Sequence, residues 1–159
     1  MNRSTKILLA ISLVTLVIVS ALTYINLSFA PYSSAKSQSN SIAKDNAGIV
    51  DPDYFGDYTR ADRYYSVGGL TKNRQYRYII INAKSGKTQT INKGNAPLRE
   101  SVLNGVAERY NPTKILHINL GVYKKQPTWE VAFKNKNGTI GYNLIDFKTG
   151  KSIEVLNNI

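Results

Sequence analysis

Residues 97–133 read PLRESVLNGVAERYNPTKILHINLGVYKKQPTWEVAF, and their hydrophobic period changes midway. In the first part, apolar residues recur at helical spacing, at Leu98, Val102, Leu103, Val106, Ala107 and Tyr110. Pro97 is permitted in the first turn of a helix, and Asn111-Pro112 can end it. In the second part the period is two, with apolar faces formed by Leu116, Ile118, Leu120 and Val122, and then by Trp129, Val131 and Phe133. A helix followed by antiparallel strands with one apolar face predicts a two-layer α+β unit.

The strand pattern continues beyond this stretch. Asn137-Gly138 is the signal of a type I′ hairpin and leads into a strand that carries Ile140, Tyr142 and Leu144. Residues 148–151 (KTGK) then turn the chain into a last strand with Ile153 and Val155. We assign residues 96–159 to this unit, with Trp129 in its core and with His117, Asn119 and Glu130 on the outer faces of its strands.

An earlier part of the chain repeats this pattern. Strands are predicted at residues 63–67 and 76–82, with a third at 87–91. The segment 84–88 (KSGKT) follows a strand in the same way as 148–152 (KTGKS), which indicates an internal duplication.

The first copy, residues 51–95, is expected to be incomplete. Its helix would have to come from residues 34–47, where the helical pattern is weak. Residues 30–50 are rich in Ser, Ala, Asn and Lys, and we interpret them as a linker or a weak helix.

The N-terminus predicts a membrane anchor. Arg3 and Lys6 lie in residues 1–6, and residues 7–29 contain no charge but 13 Ile, Leu or Val. At roughly 1.5 Å per residue this segment can span a hydrocarbon core of about 30 Å, and the positive-inside rule places residues 1–6 in the cytoplasm. The alternative is a cleaved signal peptide ending at Ser28-Phe29-Ala30, although Pro31 would hinder that cleavage.

The composition excludes several kinds of chemistry. The chain has no Cys and one His, so thiol nucleophiles, thiolate zinc sites and iron–sulfur clusters are ruled out. His117 has no second His or Cys that could join it in a metal site, and the ten acidic residues show no evident catalytic pair. We therefore predict a protein that is not an enzyme, with no catalytic, cofactor-binding or metal-binding residues, and with binding residues that the sequence does not reveal.

Three short motifs resemble functional sites. The Gly-Lys-Thr and Gly-Lys-Ser segments lack the first glycine of a phosphate-binding loop, since Ile81 and Ile145 occupy that position. Residues 51–57 (DPDYFGD) resemble a calcium loop, but Phe55 stands at a ligand position and no flanking helices are evident, so an acidic, turn-rich segment with Phe55 as a core anchor is favoured. Asn137-Gly138-Thr139 matches a glycosylation sequon, which the hairpin already explains.

The outer part of the chain is basic. Because Arg3 and Lys6 are the only charges in the first 30 residues, residues 31–159 keep 19 of the 21 Lys and Arg against 10 acids. Outside a cell this charge favours anionic lipid or wall polymers and not nucleic acid. The alternative is a set of solvated Lys and Arg side chains spread over strands and turns.

Four segments together resemble a known family. They are YYSVG at 64–68, YIII at 78–81, WEV at 129–131 and DFKTGK at 146–151. With a short anchor before them, they resemble the TseB-like (YpmB-like) cell-wall elongation regulators of Gram-positive bacteria. The closing DFKTGK turn also occurs in the broader PepSY group.

The resemblance implies duplicated cystatin-like or PepSY-like units held outside the cell by one transmembrane helix. It also implies a non-enzymatic role in regulating peptidoglycan synthesis, through binding to a class B penicillin-binding protein. Two departures from the family are the weak helix pattern at 34–47 and the long acidic segment at 51–62. A PepSY-type protease-inhibitory module, a binder of anionic wall polymer or lipid, and a small wall hydrolase are the alternatives.

Overall fold

The computed structural model describes residues 2–157, without the side chains of residues 3–11, 22 and 24–30. The chain divides into two compact units, Met1–Ser37 and Gln38–Ile159. The elements are α1 (Arg3–Ala47), β1 (Ile49–Thr59), β2 (Arg63–Thr71), β3 (Tyr76–Asn82), β4 (Thr88–Asn92), α2 (Arg99–Tyr110), β5 (Lys114–Tyr123), β6 (Gln126–Lys134), β7 (Ile140–Asp146) and β8 (Ser152–Leu156).

The smaller unit consists of the first part of α1, which continues as one helix past Pro31. Among the residues described, no helix combines the length and the apolar character that a membrane span needs. The predicted anchor at residues 7–29 includes the side chains of 7–11, 22 and 24–29, which lie outside the described residues, so the anchor stays a prediction.

The larger unit confirms an α+β fold built from two similar halves. Strands β1 to β4 form one antiparallel sheet in chain order, and β5 to β8 form a second one in the same way. The last turns of α1 precede the first sheet, and α2 precedes the second. Each half therefore has the order helix then four strands. The two Gly-Lys segments lie in hairpin turns that lead into β4 and β8, as predicted.

The first half is complete, contrary to the expectation of a linker or weak helix at residues 30–50. Residues up to Ala47 are helical, and Ser39, Ala43 and Ala47 are buried at a spacing of four. Ala43 and Ala47 pack with Ile49, Val67, Ile79 and Ile81 of the first sheet. Because the buried face of the helix is made of Ala and Ser, its hydrophobic periodicity is faint and the sequence pattern underestimates it.

Most of the acidic segment at 51–62 is a strand and not a turn-rich approach, because β1 extends to Thr59 and only residues 60–62 form a turn. β1 pairs with β2 along its length, with register irregularities near Asp51 and Pro52. Proline is tolerated there because β1 is an edge strand of its sheet. The calcium-loop pattern thus lies on extended backbone. Tyr54 and Tyr58 are the buried aromatic residues of this strand, and the half-buried Phe55 packs against the core that α1 shares with the first sheet.

The first sheet is a middle layer. Ile79 and Ile81 face α1, whereas Tyr78 and Ile80 belong to a second core that they share with Trp129 of the other half. Trp129 is fully buried and its indole contacts Tyr54 and Tyr78 edge-on, so its predicted core position is confirmed. Aromatic contacts of this kind join the two halves into one packed body.

Three local predictions are corrected. The helix starts at Arg99, and Leu98 is its exposed N-cap residue instead of a core residue. Leu116 is also exposed, because a register shift between Ile115 and His117 interrupts the alternation of β5. Ala107 of α2 is exposed as well.

The hairpin turns also differ from the expectation. Only Gly138 of the Asn137-Gly138 turn has a positive φ, of 88°, so the turn is not of type I′. The type I′ geometry occurs instead at Lys124 and Lys125, which join β5 to β6 with φ values of 47° and 66°.

Candidate interaction surface

A groove of about 380 Å³ separates α2 from β7 and β8. Helix α2 lies nearest β5, which is the edge strand of the second sheet opposite β8. Val102 and Val106 are the buried residues of α2, and the groove follows the same side of the helix. Its lining consists of Ser101, Val102, Gly105, Val106, Arg109, Asn143, Ile145, Gly150, Lys151 and Ser152.

The groove is positively charged. Its described lining contains Arg109 and Lys151 and no acidic residue. Both cations are exposed, and no ion pair within residues 2–157 involves either of them. A negatively charged ligand would therefore meet two cationic side chains that are not paired with any of the carboxylates the structure describes.

Strand β8 forms one wall of the groove and is an edge strand. Within residues 2–157 it pairs with β7 alone. Val155 lies opposite Asn143 in the ladder, so the two side chains share the face of the sheet that lines the groove. Ile153 and Val155 are 39% and 41% exposed, and the Ser152 hydroxyl donates to Asn143 Oδ1 at 2.6 Å. The wall thus combines unpaired backbone groups with apolar side chains.

Gly105 lies in the middle of α2 and on the groove. A Cβ added to it would meet no atom within 4 Å, and its φ is not positive. Glycine in a helix interior costs about 0.5–1 kcal/mol relative to alanine. Neither packing nor backbone conformation in the described structure requires glycine at this position.

A second polar constellation lies at the junction of the two halves. Arg60, in the turn after β1, contacts Glu130 of β6 with Nε to Oε2 at 2.6 Å. His117 Nε2 lies 3.5 Å from the other carboxylate oxygen. Glu130 was predicted on an outer face, but it is buried, and Arg60 of the first half contacts its carboxylate there. The structure therefore brings together two residues, His117 and Glu130, that the sequence placed on neighbouring strands without a link.

Arg60 and His117 keep the Glu130 carboxylate in its charged form. Burial alone would raise the pKa of Glu130, but the hydrogen bonds from His117 and Arg60, together with their charge, lower it below its ordinary value of 4.5. Burial raises the pKa of the neighbouring Tyr58 to about 12, so its hydroxyl stays neutral. Glu130 is consequently a permanently ionised partner of Arg60 near neutral pH, and its role is to hold the halves together.

The seam between β1 and β5 has no backbone ladder and is closed by side chains. The Asn119 carboxamide donates from Nδ2 to Asp57 O at 2.7 Å and accepts from Asp57 N–H at 3.3 Å. Leu120 N–H donates to Tyr54 Oη at 2.8 Å. These bonds satisfy backbone groups of two edge strands that would otherwise be buried without partners.

Among the described residues, no group of three or more His, Asp or Glu side chains could hold a metal ion. Sequence reasoning did not find the groove, because its lining comes from α2 and from two strands that lie about 40 residues further along the chain. The signal it could have used is Gly105, a glycine inside a strongly helical pattern.

Comparisons with known proteins identify the fold. No protein-family model matches the chain, and no curated protein is significantly similar to it. A solved structure, the YpmB protein from Bacillus subtilis, matches with a TM-score of 0.62 and 19% identity, covering 76% of this chain and 94% of that one. The chain therefore shares the fold of YpmB, whose name is also the one given to the family that the four sequence segments resemble.

Proposed function

We propose that this protein is a membrane-anchored extracytoplasmic interaction module that regulates cell-wall elongation by binding a class B penicillin-binding protein. The observation that carries the proposal is the match to the fold of YpmB, whose name is also that of the family that the four segments resemble. Trp129 of the WEV segment is at the centre of the shared core. Asp146 of the DFKTGK segment accepts hydrogen bonds from Thr149 at 2.7 Å and so shapes the last hairpin.

The four segments are evidence for the fold, and they are not direct evidence for the binding partner. Their side chains make the core and a turn, so they explain why the chain adopts this architecture. The penicillin-binding protein as partner comes from the family resemblance and is part of the proposal.

The composition and exposure of α1 support the proposed anchor. The described apolar side chains between Leu13 and Val19 are 53–63% exposed in the isolated chain. They belong to a stretch without charge that follows Arg3 and Lys6. A helix that is apolar all around requires an apolar environment, which a bilayer supplies.

The contacts of Glu130 indicate a structural role for this residue. Glu130 is the buried carboxylate of the junction, and both of its oxygens are engaged, one by Arg60 and the other by His117. A general acid or base needs a proton-exchanging group that can reach a substrate. Glu130 is occupied in joining the halves and is therefore better suited to stability.

The test is in-cell crosslinking and affinity purification of the full-length protein, with attached proteins identified by mass spectrometry. The tag belongs at the N-terminus, so that β8 and the groove stay unobstructed. We expect recovery of a class B penicillin-binding protein that is lost when residues 31–159 are removed and retained when the anchor is exchanged for another. Recovery of wall polymer or lipid alone, released by salt, would contradict the proposal and favour an anionic-polymer binder.

A further inference from the structure

We propose that the groove between α2 and β8 binds an extended, acidic segment of a partner protein, which adds to β8 as a further strand. The proposal rests on the proposed function as an interaction module and specifies where and how a partner docks. It does not depend on the partner being a penicillin-binding protein.

The first support is the contrast among the sheet edges. The edges of β1 and β5 are closed against each other by Asn119 and Tyr54. The edge strand β4 exposes the polar side chains of Thr88, Gln89 and Thr90, which offer an incoming strand no apolar contact.

Strand β8 is different, because its exposed side chains include Ile153 and Val155. Alternate residues of an edge strand point their N–H and C=O groups away from the sheet, where an incoming strand can bind them. The pairing of Val155 with Asn143 puts a side chain of β8 on the groove face, so alternate side chains of a strand added there would point to the same face as the groove.

The second support is Gly105. The described fold gains nothing from glycine at this position, since a Cβ would meet no atom within 4 Å. The space that the missing side chain leaves open is on the groove side of α2. A glycine there leaves room on the groove side of the helix for a side chain of the added strand.

The chemistry of the groove determines the class of occupant. Arg109 and Lys151 favour carboxylates, while Val102, Val106 and Ile145 favour apolar side chains. A wall polyanion would use the two cations but neither the apolar wall nor the unpaired strand edge. A peptide that alternates acidic and apolar residues in an extended conformation uses all three features.

The test uses the absence of cysteine in the native chain. The variants Ser101→Cys, on the groove, and Asn104→Cys, on the same helix but outside the groove lining, are each expressed as full-length protein in cells. A short photoactivatable maleimide is attached to the cysteine and irradiated, and the attached peptide is sequenced by mass spectrometry. We expect an acidic, extended segment of one protein to be attached at residue 101 and not at residue 104.

A second pair of variants separates docking from folding. In the Ser101→Cys background, Gly105→Ala should raise the melting temperature and yet lower the crosslinking yield about tenfold, because the added methyl group occupies space that the partner uses. Asn104→Ala, the matched helix-stabilising control, should leave the yield unchanged.

The proposal is overturned if no adduct forms at residue 101, if both positions react equally, if the adduct is polymer or lipid, or if Gly105→Ala leaves the yield unchanged. Its failure is distinguishable from that of the proposed function. An acidic segment from a protein other than a penicillin-binding protein would support the groove as the docking site and refute the proposed partner. A penicillin-binding protein that copurifies but does not react at residue 101 would support the proposed partner and refute the groove as its docking site.

Discussion

Replacement of Gly121 by alanine should open the seam between the two halves. Gly121 lies on β5, and an added Cβ would be 2.8 Å from Tyr58 Cβ and closer still to the base of the Tyr58 ring. Tyr58 is fully buried, so its side chain has no free space into which to move. The clash involves the root of the side chain and not its flexible end, and only a displacement of β1 from β5 can relieve it.

The magnitude follows from the site. Overpacking of a buried position usually costs about 1–3 kcal/mol. We expect the upper part of that range, about 3 kcal/mol, because the displacement also stretches the hydrogen bonds between Asn119 and Asp57. For a chain of this size such a loss lowers the melting temperature by about 6–12 °C.

The assay is equilibrium urea unfolding of the full-length protein in detergent, followed by tryptophan fluorescence. Trp129 is the single tryptophan and lies at the centre of the core that both halves share, so its emission reports on their separation. Gly105→Ala is the matched control, because its Cβ enters open space and should stabilise the chain by about 0.5–1 kcal/mol. If Gly121→Ala changes the free energy of unfolding by less than about 0.5 kcal/mol, the seam is not tightly packed and the reasoning is refuted.

Three other perturbations test the junction and the turns. The free energy of unfolding should fall as the pH drops below about 4.5 toward the lowered pKa of Glu130, because the folded state stabilises the charged carboxylate. In the Glu130→Gln variant the melting temperature should depend less on pH between about pH 3 and 6. Tyr54→Phe should cost about 1–3 kcal/mol in urea unfolding, since it leaves the Leu120 N–H without its acceptor, and an unchanged midpoint would show that water replaces the hydroxyl. Replacing Lys124 by Asn together with Lys125 by Gly should stabilise the chain by about 1 kcal/mol, because both residues have positive φ; a loss of thermal stability would mean that the lysines make compensating contacts.

The sequence predicts the second half of the fold well because its apolar residues are large and regularly spaced. The helix at α2, the strands β5 to β8 and the burial of Trp129 all follow from hydrophobic period. The failures have local causes: a β-bulge exposes Leu116, and a lysine pair adopts a turn for which Asn-Gly is the usual signal.

The first half was harder to predict for two physical reasons. Its helix packs through Ala43 and Ala47, whose small side chains give little hydrophobic contrast. Its first strand carries Asp51, Pro52 and Asp53, residues that usually mark turns, and it becomes a strand only by pairing with β2.

The groove and the buried contacts of Glu130 with Arg60 and His117 could not be predicted from the sequence, because both depend on how elements distant in the chain pack together. Glu130 has the sequence context of an exposed strand residue, but in the fold it is buried and Arg60 of the first half contacts its carboxylate. Arg109 and Lys151 are ordinary surface cations in the sequence, and they become parts of one groove only through the packing of α2 on the second sheet.

The most direct measurement for the proposed function is the binding of the purified full-length protein, in lipid nanodiscs, to a purified class B penicillin-binding protein from the same organism. We expect saturable one-to-one binding that persists at about 0.5 M salt, where exposed charges are strongly screened. Binding that is absent, or that disappears at this salt concentration, would contradict a specific complex and leave the positive charge as the only attraction.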